Sequence, residues 1–549
     1  MTDKKHLAVT YLGLSVLLLS SCFSSGSSNV RQVSFDPAEA TIDDIQAAYN
    51  SGTLTAVELV QYYLDRIAAY NDSGPKINAI ITLHPDALDQ AATLDLEREE
   101  TGARGPLHGI PVFLKDNINT FDLPTTNGSA ILKDVVPLED APLARELREA
   151  GAIIMGKASM GEFAAGNYNT VVGQTINPYN FKRHTGSGSS SGPAAAIAAD
   201  FTVLAVGTDT SASVRGPASA TGIVGLRTTT GLISRTGIAP KNLAFDTAGP
   251  MARTVTDVAY LLEIIAVEDP QDSKSVAVWH EVAKHYEIVD GHIDYSNFLH
   301  RDSLRGKRVG VLRDFFGGDP EIDALAETAL MQLEGLGATL VEIRLDPEFM
   351  SRYTGAGQAE IRDIADYRFR FDWEAYVATL PGVPKTVAKF IELYENVVNK
   401  SPLPVGENTL QSLKDSLTKS TDDPLYQKLI EETLPKATAD KLALFEDYQV
   451  DVLVFPYETA FAGVINNPVY QLEDPARVSS GVPPPATLSG YDSVGFPCVV
   501  VPMGFGSQGL PMDLAFMGKP YSEGPLLGYA YAYEQVSAKR RPSPQLPPL

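Results

Sequence analysis

"GTDTSASVRGPAS", residues 207–219, is almost free of bulk. Ser211 and Ser213 flank Ala212 inside a run of glycine, threonine and alanine, with Asp209 and Arg215 close by. Side chains this small let backbone N–H groups come close to a developing charge, where larger ones would block them. A serine hydroxyl is a weak nucleophile, so one held here for chemistry needs a base from elsewhere in the chain. Upstream, "HTGSGSSSGPAAAIAADF" carries a glycine–serine loop straight into a small-residue helix, and Ser189, Ser190 and Ser191 crowd the turn. Further upstream, in "GPLHGIPVFLKDNINT", Lys115 ends an apolar, strand-like run, "IPVFL".

Around these stretches the chain alternates helices and strands from Asp36 onward. "TAVELVQYYLDRIAAYN" opens with Thr55 and Glu58 in capping-box spacing, and Leu59, Tyr62, Tyr63 and Ile67 form an apolar stripe. "KRVGVLRDFF" reads as a strand, followed by a helix with Ile322, Leu325, Ala329, Leu333 and Leu336 on one face and then another strand. That is a βαβ unit and implies parallel pairing, hence an α/β fold. "VDVLVFP" and "PCVVVP" read as buried strands near the end. Residues 271–440 are more polar and carry helical patterns such as "VPKTVAKFIELYENVVNK", which predicts a helical insertion or cap. The Pro-rich stretch 536–549 predicts a disordered tail.

Net charge is −24 over 549 residues. So acidic a chain argues against nucleic acid and against electrostatic docking to anionic lipid. At the N-terminus, Lys4 and Lys5 precede an apolar run of 13 residues from Leu7 to Leu19. A spanning helix needs about 20 residues, so residues 1–21 read as a secretory signal. "LSSC" resembles a bacterial lipobox with Cys22 as the acylated residue, and 22–35 reads as a flexible tether. Phe23 after the cysteine fits an outer-membrane anchor facing the periplasm, the lipid being the only contact with the membrane. Cys498 is then the only thiol left, which excludes a disulfide and a cysteine metal site.

Taken together, the motifs resemble the amidase signature family of serine hydrolases, bacterial peptide amidases among them. "GIPVFLKDNINTFDLPTTNGS" is similar to the family's lysine motif, and "GSGSSSGPAAA" and "GTDTSASVRGPAS" to the two halves of its Gly/Ser signature. "TGIVGLRTTTGLIS", "DTAGPMARTVTDVAYLL" and "LSGYDSVGFPCVVVPMGF" resemble the segments that follow, so the likeness runs over about residues 36–535. The resemblance implies one large α/β domain with a central mixed sheet covered on both sides by helices, no cofactor and no metal. It also implies a catalytic set of Lys115, Ser189 on a cis peptide bond and nucleophilic Ser213. The oxyanion donors implied are the backbone N–H groups of Thr210, Ser211, Ala212 and Ser213. Ser190 would hydrogen-bond near Lys115, Asp209 and Arg215 would pair beside the nucleophile, and Met160 would line the substrate pocket.

In the chemistry this implies, neutral Lys115 takes a proton from Ser189, Ser189 takes one from Ser213, and Ser213 attacks an amide carbonyl. The lysine pKa must fall from about 10.4 toward about 7–8, which corresponds to about 4 kcal/mol of differential stabilisation. Burial beside "IPVFL" supplies the direction. Asp116 would oppose it unless it points to the other face, as the next residue along a strand does. Ser211 and Ala212 stand where the family usually has glycine, and a Cβ there is costly if either position needs a positive φ. Substrates implied are a peptide amide or a small aryl or alkyl amide. The alternative is a catalytically impaired amidase-like protein or a solute-binding lipoprotein.

Two rival motifs are weaker. "GSSSG", 188–192, matches G-x-S-x-G, but the segment before it is polar and turn-like rather than the strand a nucleophile elbow requires. "HEVAKH", 280–285, spaces its histidines by five, which puts the rings on different helix faces.

Overall fold

The computed structural model describes residues 35–465 and 495–549. The expected signal peptide, Cys22 and the tether up to residue 34 lie outside the described residues. In chain order the strands are β1 Ile80–Leu83, β2 Pro111–Lys115, β3 Ile153–Ala158, β4 Tyr168–Asn169, β5 Gly173–Gln174, β6 Leu204–Asp209 and β7 Val224–Arg227. They continue with β8 Thr247–Ala252, β9 Arg308–Leu312, β10 Thr339–Ile343, β11 Val452–Pro456, β12 Cys498–Phe505 and β13 Pro511–Met517. Apart from the small β4–β5 hairpin, they form one sheet of 11 strands in the order β1-β3-β2-β6-β8-β7-β12-β13-β11-β9-β10. β2 runs parallel to both β3 and β6, while β6 and β8 are antiparallel, so the sheet is mixed. β2, β3 and β6 are buried along their whole length, as strands with both faces covered by helices are.

The local signals act as their chemistry dictates. The Thr55 hydroxyl accepts the Glu58 N–H at 3.1 Å and the Glu58 carboxylate accepts the Thr55 N–H at 2.9 Å. That reciprocal cap starts helix Ala56–Tyr70, whose Leu59, Tyr63 and Ile67 are buried while Tyr62 is only partly so. β9, helix Pro320–Gly335 and β10 form the expected parallel unit, with Thr339 opposite Arg308.

Two expectations are corrected. Residues 271–440 are not a helical insertion throughout, because β9 and β10 belong to the central sheet and form its edge. The cap proper begins with helix Pro347–Tyr353 and extends through helix Leu434–Asp447. Its middle part has a separate core, in which Phe369, Trp373, Phe390 and Tyr394 close around Phe163 of the main body, while Phe349, Tyr353, Leu434 and Phe445 at its two ends join the main core. The second correction concerns 536–549. Helix Glu523–Ser537 runs into it, and the Pro-rich end is docked, with Leu546 buried. The Pro547 carbonyl accepts from the Tyr70 hydroxyl at 2.8 Å, and the Ser543 hydroxyl donates to the Pro178 carbonyl at 2.7 Å. A proline-rich chain lacks N–H donors for a sheet, yet its carbonyls still accept from side chains.

Candidate active site

Lys115 closes β2, the third strand from one edge of the sheet, and is fully buried. Its Nζ lies 2.8 Å from Ser189 Oγ, and it donates to Thr208 Oγ1 at 2.8 Å and to the Thr208 carbonyl at 3.1 Å. Burial lowers its pKa to about 7, against the pull of Asp209 and Asp246. Three oxygen atoms thus surround the tetrahedral nitrogen, two of Thr208 and one of Ser189. Asn117, on the same side of the chain as Lys115, donates to Thr208 Oγ1 at 3.1 Å. Asp116 between them turns the other way, where its carboxylate accepts from Thr126 and from the Gly128 N–H. Burial raises the Asp116 pKa to about 6, with Lys157 drawing it back.

Ser189 follows a cis peptide bond from Gly188 and precedes helix Ser191–Ala198, all of whose residues are buried. Small size is needed here. A Cβ on Gly188 would stand 1.9 Å from the Gly166 carbonyl, and one on Gly207 2.8 Å from Ser190 Oγ. Ser190 joins the same cluster, because its hydroxyl donates to the Thr208 carbonyl at 3.1 Å and accepts the Thr208 N–H at 3.3 Å.

Ser213 sits in the loop after β6 and is 8% exposed. The Ser190 N–H donates to the Ser213 carbonyl at 3.1 Å and ties the two serine loops together. Among the described residues the Ser213 hydroxyl has no hydrogen-bond partner, and neither do the backbone N–H groups of Ser211, Ala212 and Ser213. Neither Ser211 nor Ala212 has a positive φ, so the Cβ atoms there carry no backbone strain. The Thr210 hydroxyl donates to Asp246 Oδ1 at 2.6 Å, while Asp246 Oδ2 accepts the N–H groups of Lys241 and Asn242 at 2.8 and 2.7 Å.

Asp209 pairs with Arg215 at 3.2 Å and also with Arg227 at 2.9 Å, all three buried. Asp209 further accepts the Val214 N–H at 3.0 Å, and Arg215 donates to the Ser211 carbonyl. Burial alone would raise the Asp209 pKa, yet the two guanidinium groups hold it well below the usual carboxylate range. The pair fixes both ends of the loop that carries Ser213. Arg227, Thr208, Asn117 and Asp246 do not stand out in the sequence. An arginine in the apolar run "GIVGLR" is the one local signal for Arg227.

A narrow slot of about 10 Å³, room for about one water, opens against Asn117, Thr208 and Thr210 and is lined further by Ala164, Arg235, Ile238, Ala239, Lys241 and Asp246. Lys241 also lines a larger cavity of about 260 Å³, open to solvent, between Phe163 and Ala165 on one side and the cap on the other. Met160 is fully buried, and the cavity walls on that segment are Phe163, Ala164 and Ala165 instead. Phe163 and Ala164 both have positive φ, 51° and 56°, which turns this segment over the slot. The rival motifs fall away. No strand immediately precedes Gly188, and helix Ser273–Val282 ends before His285, leaving both histidines exposed.

The sheet thus brings a buried lysine and two serine loops together at its strand ends, with a narrow slot beside them. The amidase family model matches residues 58–527, and the chain belongs to that family. The structure is similar to a peptide amidase from Stenotrophomonas maltophilia, with a TM-score of 0.80, 35% identity, and 92% of this chain and 98% of that one covered. An amidase family protein from Bacillus anthracis matches with a TM-score of 0.78 at 31% identity over 92% of each chain. Among curated relatives, a glutamyl-tRNA(Gln) amidotransferase subunit from Microcystis aeruginosa is 36% identical over 503 residues, 89% of this chain and 96% of its own.

Proposed function

We propose that Ser213 is the nucleophile of this amidase, with Ser189 and Lys115 as its proton relay. The observation that carries the reading is the buried Lys115 amine, 2.8 Å from Ser189 Oγ and with a pKa of about 7. Near neutral pH a large fraction of it is unprotonated and able to accept a proton. The Ser213 hydroxyl proton passes to Ser189 Oγ as the Ser189 proton passes to Lys115 Nζ. Ser213 Oγ bonds to the amide carbon, and the N–H groups of Thr210, Ser211, Ala212 and Ser213 face the oxyanion. The C–N bond then breaks, the relayed proton leaves with the nitrogen as ammonia or amine, and water hydrolyses the ester to the free acid. Asp209 with Arg215 and Arg227, and Ser190 with Thr208, are positioning residues.

The substrate proposed is a peptide amide or a small aryl or alkyl amide. Likeness to the Stenotrophomonas peptide amidase supports it, as does a cavity with room for an acyl group larger than a single amide. The curated amidotransferase relatives favour a second reading, in which the chain works with partner proteins as one component of an amidotransferase. The lipobox reading of residues 1–22, an exported chain anchored through Cys22, speaks for the first.

The test is ammonia release from peptide, aryl and fatty amides by the wild type, Ser213→Ala and Lys115→Ala. Turnover by the wild type and its near-total loss in both variants is expected. If no amide turns over and a fluorophosphonate leaves Ser213 unlabelled, the relay does not operate and the chain is an amidase-like binder.

A further inference from the structure

Resting on the relay proposed above, we infer that Asn167 is a positioning residue for Ser189: its side-chain amide pins both halves of the turn 185–191, which presents the Ser189 hydroxyl to Lys115. Asn167 is buried between the short helical turn Glu162–Ala164 and β4. Its Oδ1 accepts the Thr185 hydroxyl at 2.9 Å and the Ser191 hydroxyl at 2.6 Å, and its Nδ2 donates to the Gly186 carbonyl at 2.8 Å. Thr185 and Gly186 precede Ser189 in the chain and Ser191 follows it, so one amide spans the turn.

The partners admit one orientation of that amide. A carbonyl only accepts, so the Gly186 oxygen must face the NH₂ end, and Oδ1 is left to take the two hydroxyls. Apart from this amide the two halves of the turn are held unequally. From Ser189 onward, the Ser189 carbonyl accepts the Gly161 N–H at 3.1 Å, and Ser190 is bonded to Ser213 and Thr208. Before Ser189, Gly188 bridges to the Gly166 backbone, but among the described residues no other side chain from outside the turn hydrogen-bonds residues 185–188. Gly186 and Gly188, at φ 74° and 73°, have no side chains to lock that half from within.

The support under Asn167 is firm. Its carbonyl accepts the Thr175 N–H and the Gln174 side-chain amide, each at 3.2 Å. Earlier in the same segment the Glu162 carboxylate accepts from the Thr170 hydroxyl at 2.9 Å and from Tyr394 of the cap. A side chain on so braced a segment can hold its partners to a fraction of an ångström, and the relay requires Ser189 Oγ at its 2.8 Å from Lys115 Nζ. Without the amide, the two glycines can turn and Ser189 Oγ leaves that distance. Asn167 lines neither the slot nor the cavity under the cap, so its loss should fall on kcat rather than on KM.

The experiment uses the full chain and follows ammonia release from a peptide amide together with the rate at which a fluorophosphonate labels Ser213, which reads the relay whichever amide is the substrate. Beside the wild type stand Ser189→Ala, Asn167→Ala, Asn167→Asp and the milder Thr185→Val, with urea unfolding of each so that rates are compared among folded proteins. In Asn167→Ala, kcat and the labelling rate should fall roughly 100-fold, the cost of misplacing a reacting group by about 1 Å, while KM stays within about threefold of wild type. Thr185→Val removes one hydroxyl from Oδ1 and should lower kcat by roughly two- to tenfold. Asn167→Asp keeps the shape and both hydroxyl contacts but turns a carboxylate oxygen toward the Gly186 carbonyl. Once protonated, that oxygen donates as the amide does, and burial raises the pKa of the introduced carboxyl. Its kcat relative to wild type at the same pH should therefore climb as the pH falls from about 8 to about 6, while the Asn167→Ala ratio stays flat. An unchanged kcat in Asn167→Ala, a loss confined to KM, or an Asn167→Asp ratio that does not climb toward low pH overturns the inference and leaves the relay intact. Ammonia release that survives in Ser189→Ala overturns the relay and the inference together.

Discussion

Lys115→Met isolates the central claim about the site, because it removes an ionisable group from the sheet while keeping its apolar length. In the folded chain burial lowers the lysine pKa to about 7. In the unfolded chain it titrates near 10.4. Between those values the unfolded state binds more protons, so wild-type stability rises with pH. The penalty for burying this lysine is present in full below about pH 7 and vanishes above about pH 10.4. Integrated, it amounts to about 4 kcal/mol at pH 7 and roughly 2 kcal/mol at pH 9. Methionine also loses the contacts to Ser189 and Thr208, but that loss does not depend on pH over this range. Urea unfolding of both proteins at pH 7 and pH 9 separates the terms. The stability of Lys115→Met relative to wild type should drop by about 2 kcal/mol between the two pH values. Over the same range wild-type kcat/KM should rise with pH through about 7 as the amine loses its proton. A stability difference that stays flat from pH 7 to pH 9 would refute the depressed lysine and the relay with it.

Asp209→Asn leaves Arg215 and Arg227 buried without their carboxylate, so urea unfolding at pH 7 should show a loss of about 3–5 kcal/mol. The wild-type contribution of Asp209 is present above about pH 3.9 and fades only as the pH falls through its depressed native value, so acid titration should begin to expose it late. Ala212→Gly restores the smaller residue, but Ala212 has no positive φ to relieve. It should destabilise by about 0.5–1 kcal/mol through backbone entropy and leave kcat/KM at or below wild type. A clear gain in ammonia release would mean that the Ala212 Cβ obstructs the oxyanion donors.

What the sequence disclosed of the fold divides by range of interaction. Helix Ala56–Tyr70 and the β9–helix–β10 unit were legible, because capping and apolar period are local signals. The order of eleven strands was not, since pairs such as β7 with β12 join segments hundreds of residues apart. Residues 271–440 misled because β10, "TLVEI", lies at the open edge of the sheet and is partly exposed, so its polarity matched that of the helices around it. The tail misled because proline content describes what a chain cannot pair with. It is silent about acceptors such as the Pro547 carbonyl and donors such as Tyr70 that lie far away in sequence.

The same division runs through the site, and β6 shows why. Lys115, Ser189 and Ser213, the relay proposed above, were singled out because the short segments that carry them resemble the family's motifs. Thr208, the acceptor that orients the lysine, looks like any threonine in a strand. Its part follows from alternation along β6 and the residue after it. Thr208 faces Lys115 and Asn117, Asp209 turns to Arg215 and Arg227, and Thr210 reaches Asp246. Three successive residues thus serve the base, the clamp on the nucleophile loop and the wall of the slot, and Ser211–Ser213 follow at once. A slip of one residue in the pairing of Asp209 with Thr247 would exchange the faces of all three. On the relay proposed for this enzyme, the register of β6 against β8 is therefore as much a requirement of the chemistry as any one side chain, and it is set by contacts that no stretch of sequence around Ser213 contains.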